Sequence, residues 1–261
     1  MPASSLSSTD GNALPGNEKR GIEELTFGPL PGTRKESDAL IPRFKGWKWK
    51  VRDPMMGKDA TKEALLRIHS PYILHLATHG FLESKHDLAV PVTPQYIGFA
   101  NRMKNSKFFE NPMHRSGLAL AGAQATLEAW MRGEAPPRAN DGILTAEDVS
   151  ALDLKGTWLV CLSACDTGSG EVKAGEGVMG LRRGFIEAGT ENLLMTLWSV
   201  SDEATVQIMS DFYEAAHQSG DAPEALAEVQ RTWLLKLREK HGLAQAVNLA
   251  GPFIMTSQGK P

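Results

Sequence analysis

A chain of 261 residues, 41% hydrophobic and 23% charged, has the makeup of a globular protein large enough to bury a core without help from disulfides or a structural metal. Its 28 basic and 31 acidic residues leave a net charge of −3, which argues against a nucleic-acid partner held by general surface charge. No apolar run approaches the roughly 18 residues of a membrane span, and the start Met1-Pro-Ala-Ser-Ser lacks the basic and apolar regions of a secretory signal, so a cytoplasmic protein is the expectation.

Residues 1–21 carry Ser, Gly, Pro, Asn and charge without periodicity and read as a disordered tail or the remnant of a linker, leaving 22–261 as the folded domain. From there the pattern alternates. It predicts a helix over Thr33–Phe44, a strand over Trp47–Arg52, a helix over Asp59–His69 and a strand over Tyr72–Thr78, which is α/β order. Arg43-Phe-Lys-Gly-Trp-Lys-Trp-Lys-Val-Arg52 interleaves cations and aromatics as single-strand nucleic-acid binders do. Period two, however, sets Trp47, Trp49 and Val51 on one face and Lys48, Lys50 and Arg52 on the other, and a lysine-protected edge strand explains that better. Between Phe81 and Asp141 periodicity is lost. Pro91, Pro94, Pro112, Pro136 and Pro137 interrupt that stretch, only Gly117–Ala121 resembles a strand, and the whole reads as a long irregular insertion.

Regular patterning resumes with a short helix over Thr145–Leu152, an apolar strand before Cys165, a helix over Glu176–Glu187 and a strand over Asn192–Trp198. Ser201 is an N-cap, with Asp202 and Glu203 in the first turn of a helix whose Thr205, Ile208, Met209, Phe212 and Ala216 share a face. Asp221 and Glu224 resemble a capping box for a second helix, with Leu226, Val229, Trp233 and Leu237 in its stripe. Both stripes read as core, and Pro252–Thr256 would add a last strand.

The two cysteines share Thr157-Trp-Leu-Val-Cys161-Leu-Ser-Ala-Cys165. Along a strand, four residues span roughly 13 Å, too far for a disulfide. The same spacing disfavours a zinc site built from His75-x-x-x-His79 and Cys161-x-x-x-Cys165, because it gathers ligands on a helix and spreads them on a strand. Cys161 is assigned to packing.

Two strand endings carry the chemistry: Ile73-Leu-His-Leu-Ala-Thr-His79-Gly80 and Leu159-Val-Cys-Leu-Ser-Ala-Cys165-Asp166-Thr-Gly168. Open α/β sheets bind ligands beyond the carboxyl ends of their strands, so adjacent strands ending this way would bring His79 and Cys165 together. A neighbouring imidazole is the usual device for generating a thiolate, and backbone N–H groups of Gly80 and Cys165, on turns that glycine permits, could stabilise the oxyanion of a tetrahedral intermediate. The implied reaction is acyl transfer, most simply peptide-bond hydrolysis. A cysteine is equally often a small buried hydrophobe and such a histidine a hydrogen-bonded core residue; spacing alone leaves both open.

Gly175-Glu-Gly177-Val-Met-Gly180 matches a dinucleotide fingerprint, but a Rossmann loop leaves its strand directly into the glycines, and Gly175 comes ten residues after Cys165. Tight turning and helix–sheet packing account for it, so no cofactor is expected. No Gly-x-Ser-x-Gly elbow surrounds Ser163 or Ser169.

Phe27-Gly-Pro-Leu-Pro-Gly-Thr33, Leu74-His-Leu-Ala-Thr-His-Gly-Phe81, Asp141-Gly-Ile-Leu-Thr145, Leu162-Ser-Ala-Cys-Asp-Thr-Gly168, Gly175-Glu-Gly-Val-Met-Gly-Leu-Arg-Arg183 and Leu197-Trp-Ser-Val-Ser-Asp-Glu-Ala-Thr205 together resemble a CHAT domain. This is the caspase-like peptidase family related to separase and often found beside tetratricopeptide repeats. The resemblance runs from about residue 22 to the C-terminus. It implies a caspase-like three-layer αβα sandwich with a mostly parallel central sheet, and a cysteine–histidine dyad at Cys165 and His79. It further implies a protein substrate and a regulatory protein or upstream module with tetratricopeptide-type repeats. Relatives that favour basic residues before the cut use an acid in the specificity pocket, for which Asp166 and Asp202 are the candidates. The chain departs from the family in lacking the repeats and in reading Asn248-Leu-Ala-Gly-Pro-Phe253 where an aromatic usually precedes the terminal strand. A caspase-like binding or scaffold module that cleaves nothing is the alternative function.

Overall fold

The computed structural model describes residues 26–82, 112–132, 134, 135, 137, 140–163, 174–198 and 200–259. Helix α1 (Pro31–Gly46) leads through a 3-10 turn at Gly57–Asp59 to α2 (Lys62–Leu66), β1 (Ile73–Leu76) and β2 (His79–Leu82). Next come α3 (Pro112–Arg115), β3 (Ser116–Ala119), α4 (Ala123–Met131), β4 (Ile143–Thr145), α5 (Ala146–Ser150) and β5 (Leu159–Leu162). The remainder is α6 (Ala174–Glu187), β6 (Asn192–Thr196), α7 (Asp202–Ser219), α8 (Ala222–His241), α9 (Leu243–Ala250) and β7 (Phe253–Ser257).

Strands β1, β5 and β6 pair in parallel, and β7 closes the sheet antiparallel to β6. Alternation along these strands sorts the core into two layers. Leu159, Cys161 and Leu194 face Leu40 of α1, Ile208, Phe212 and Tyr213 of α7, and Leu226 and Val229 of α8. On the other face Val160, Leu162 and Leu193 meet Val149 of α5 and Leu181 and Phe185 of α6. The helix stripes expected to be core at Ile208, Met209, Phe212, Leu226 and Val229 are buried accordingly. The result is the mostly parallel αβα sandwich that the sequence implied.

The caps follow the sequence. Thr145 and Asp148 form a full capping box on α5, Ser201 caps α7, and the Asp221 carboxylate accepts from the Glu224 N–H on α8. At the C-terminal departure the Trp198 indole N–H donates to the Asn248 carbonyl at 3.0 Å, and Phe253 is buried. Gln230 donates to the carbonyls of Ala250 and Phe253, each at 2.8 Å, fixing the entry to β7.

Several expectations need correction. The stretch from Phe81 to Asp141, expected as an irregular insertion with one strand near Gly117–Ala121, has that strand as β3 but also holds the end of β2, α3 and α4, and contributes to a second sheet ordered β2–β3–β4 and antiparallel throughout. Ala123, Leu127 and Trp130 gave α4 a helical stripe in the sequence, hidden by the surrounding prolines and glycines. Helix α9 was also missed, and the helix predicted over Asp59–His69 is a 3-10 turn followed by five residues of α2. The glycines Gly175, Gly177 and Gly180 lie inside α6 rather than in a turn.

Trp47–Arg52 is not a strand. Helix α1 runs on to Gly46 and ends in a Schellman motif: Trp49 N–H donates to the Phe44 carbonyl and Lys48 N–H to that of Lys45, both at 3.0 Å. Lys48 takes the left-handed position at φ 61°, and the C″ residue Trp49 stacks on Phe44 with ring centroids 5.4 Å apart. Trp47 stacks on His217 of α7 at 4.4 Å. The alternation of half-buried tryptophans and exposed lysines is real, but a helix stop produces it rather than a ladder. Lys48→Gly is expected to raise stability by about 1 kcal/mol, because glycine takes a left-handed φ without steric cost, whereas Lys48→Val lowers it. Urea unfolding of both variants checks the sign.

Candidate active site

Strands β1 and β5 lie side by side in register, from Ile73 opposite Leu159 to Leu76 opposite Leu162. The pairing continues past the last named pair, where the Ser163 N–H donates to the Leu76 carbonyl at 2.9 Å. Both strands therefore end at the same edge of the sheet, β1 followed by the step to His79 and β5 by Ser163. Of the residues singled out in the sequence, His79, Gly80 and Asp202 fall within the described structure, while Cys165 and Asp166 lie outside it.

His79 does not end β1; it opens β2 opposite Ala119 of β3, and Gly80 follows opposite Leu118. Gly80 thus sits in a strand and not in the turn expected for it. The Thr78 hydroxyl donates to the Ala119 carbonyl and fixes the step from one sheet to the other. The His79 ring is buried, and its Nε2 lies 2.7 Å from the Gly28 carbonyl oxygen. A carbonyl only accepts, so Nε2 carries the proton in this contact. Phe27, with its ring 5.8 Å from that of His79, packs beside the imidazole, and its N–H donates to Gln124 of α4 at 2.8 Å. Gly28 was missed as a partner because a main-chain oxygen leaves no residue-type signal.

A cavity of about 180 Å³ opens at this edge, lined by Glu36, Thr78, Ser163 and Asp202 with Leu30 and Val200 as apolar wall. Asp202 is the first residue of α7 and reaches over Gly32 of α1, where a Cβ would sit 2.2 Å from its Cγ. It is both a helix-start acid and a cavity-lining carboxylate.

Beneath the cavity lies a polar chain that sequence reasoning missed. Glu36 occupies the buried face of α1 between Gly32 and Leu40, and a charge on a stripe spaced four residues apart was the available signal. One carboxylate oxygen accepts from the Ser163 hydroxyl at 2.9 Å; the other faces His75 Nε2 at 3.3 Å, off the line of a good hydrogen bond, as an ionic contact. His75 Nδ1 meets the Tyr213 hydroxyl at 2.9 Å, and Cys161 is the register partner of His75 on β5. Cys161 packs as expected, fully buried, and also adjoins this chain. Burial opposes a charge on His75, but the Cys161 sulfur and the Glu36 carboxylate outweigh it and hold the imidazole well above its usual range. Burial first, then Cys161 and Glu36, pushes the Tyr213 hydroxyl up as well.

Among the described residues no helix is long and apolar enough to cross a membrane, and no group of three or more His, Cys, Asp or Glu is placed to hold a metal ion.

An αβα sandwich on a mostly parallel sheet of this kind is caspase-like. The family model for the CHAT domain matches residues 3–252, and the chain belongs to that family. Tetratricopeptide repeat protein 28 of Homo sapiens is 26% identical over 263 aligned residues, which cover 99% of this chain and 10% of that protein. Its Mus musculus counterpart is 28% identical over 236 residues, covering 88% of this chain and 9% of that protein. The chain spans about a tenth of the length of these curated relatives.

The raised His75 fixes a pH dependence. Its folded-state pKa exceeds the unfolded value of about 6.5, so the stability it contributes is complete below that value and is lost as pH rises through the folded one. Urea unfolding from neutral to alkaline pH is expected to show this decline. In Glu36→Gln the decline shrinks, and stability at neutral pH falls by about 3 kcal/mol because a buried charge loses its partner.

Proposed function

We propose that the chain is a cysteine endopeptidase in which Cys165 and His79 form the catalytic dyad. What carries the reading is the in-register parallel pairing of β1 with β5, which sends the two segments bearing these residues out of the same sheet edge. The Gly28 carbonyl on His79 Nε2 supports it further, since it fixes the orientation of the imidazole.

In the reaction His79 takes the thiol proton and the Cys165 sulfur attacks the scissile carbonyl carbon. The backbone N–H groups of Gly80 and Cys165 stabilise the resulting oxyanion. Collapse breaks the C–N bond, and His79 returns its proton to the leaving amine. Water, deprotonated by His79, then hydrolyses the thioester and frees the sulfur. The dyad needs no metal or cofactor. The cavity under Asp202 takes the side chain preceding the cut, and its carboxylate favours a basic one, with Asp166 as the other candidate acid. Control by a tetratricopeptide-type repeat module fits the printed names of the relatives.

A thiol-reactive peptide probe, applied with and without a repeat-containing partner, tests the dyad. Labelling is expected in the parent chain and lost in both Cys165→Ala and His79→Ala, with the melting temperature of Cys165→Ala close to the parent because it removes little volume. No labelling in any state would instead favour a caspase-like binding module. For the pocket, Asp202→Asn is expected to lower cleavage after Lys or Arg about tenfold or more while sparing cleavage after uncharged residues, as read from peptide libraries.

A further inference from the structure

The cavity beside Asp202 takes its walls from α1, α7 and the residues that follow β1 and β5, and its side-chain chemistry is one-sided. The Thr33 hydroxyl donates to the Leu30 carbonyl at 2.8 Å, the Thr78 hydroxyl to the Ala119 carbonyl, and the Ser163 hydroxyl to the Glu36 carboxylate at 2.9 Å. A hydroxyl has one proton, so each of these three offers the cavity only lone pairs. The other side-chain oxygens of the lining belong to the carboxylates of Glu36 and Asp202 and to the hydroxyl of Thr205, which is buried without a hydrogen-bond partner among the described residues. Among those residues no lysine, arginine or histidine lines the cavity or pairs with Asp202. His75 already faces Glu36, so Asp202 brings the one charge that is left to be met. Such a lining repels carboxylates and phosphates and suits a cation that has several donors and no acceptor.

A second observation is steric. Gly32 and Glu36 lie one turn apart on the buried face of α1, and a Cβ at Gly32 would overlap the Asp202 carboxylate. Gly32 has no left-handed φ, and alanine is the better helix former, so what the position requires is the missing side chain. We propose that the cavity is a guanidinium site in which Asp202 supplies the charge and Gly32 admits its carboxylate over α1. A guanidinium presents five N–H donors in one plane and can meet acceptors on several walls at once, whereas an ammonium has three donors on one atom and holds its water more strongly. Leu30 and Val200 provide the apolar wall for the methylenes that carry the group. For cleavage this means arginine rather than lysine before the cut. Only that consequence rests on the dyad reading given above; the binding does not.

The test is an NMR titration of the full chain with n-propylguanidinium and n-butylammonium, which end as arginine and lysine side chains do, with melting temperatures measured in parallel. The guanidinium is expected to bind the parent about tenfold more tightly than the ammonium. Asp202→Asn and Gly32→Ala are each expected to lower that affinity about tenfold. Gly32→Ala is expected to melt at or above the parent, because alanine favours the helix and only the end of a side chain has to move. Adding Gly32→Ala to Asp202→Asn is expected to cost no further affinity, since both changes take the same carboxylate out of the cavity. A further loss in the double variant, or parent-like binding in Gly32→Ala, overturns the role of Gly32. Equal affinity for the two cations, or no loss in Asp202→Asn, overturns the guanidinium assignment. Peptide cleavage separates this site from the dyad. Guanidinium binding with no cleavage of arginine peptides overturns the dyad and keeps the site, whereas cleavage indifferent to arginine, with no guanidinium bound, overturns the site and leaves the dyad standing.

Discussion

Four residues of β1 lie against four of β5 in parallel, and nearly every functional inference descends from that pairing. Parallel strands send their carboxyl ends to the same edge of a sheet, so segments far apart in the chain emerge as neighbours there. The register is held by what each strand buries: Val160 and Leu162 belong to the α5–α6 face, Leu159 and Cys161 to the α1–α7–α8 face. A slip of one residue would exchange the two sets and place His75 in an apolar layer without its carboxylate. The pairing therefore fixes both the site's edge and the polar chain beneath it.

The second, antiparallel sheet contributes differently. Because β2 begins at His79 directly after the turn from β1, the imidazole sits where the chain passes from one sheet to the other. A histidine held in a short strand, with its hydroxyl-bearing neighbour Thr78 bonded to β3, has fewer ways to move than one at the tip of a loop. This is a different means of placing the imidazole from the glycine turn that the sequence suggests.

Much of this was legible in the residues because the central strands are short apolar runs with clear stops, and because Thr145, Ser201 and Asp221 announce their helices by capping chemistry. The tryptophan–lysine alternation before Arg52 misled because period two arises both in a ladder and in a helix stop whose C-cap and C″ residues fold back on the same side. Helix α4 was obscured by its surroundings rather than by its own pattern. Glu36 was visible as a charge on an apolar stripe, but its partners come from residues 75 and 163, and pairing over such separations is settled by the tertiary fold. Gly28 stands in a segment that carries the family resemblance, but its contact with His79 left no trace there, since its contribution is an oxygen that every residue possesses.

That last point bears on how such a site tolerates change. A Cβ added at Gly28 would meet nothing within 4 Å, so the position is sterically free even though its carbonyl holds the imidazole. What matters at residue 28 is the route of the backbone, which the Phe27 amide secures by its bond to Gln124 on α4. The alphabet at this position can drift while the oxygen stays in place, and the burden of keeping it there passes to a glutamine on a distant helix.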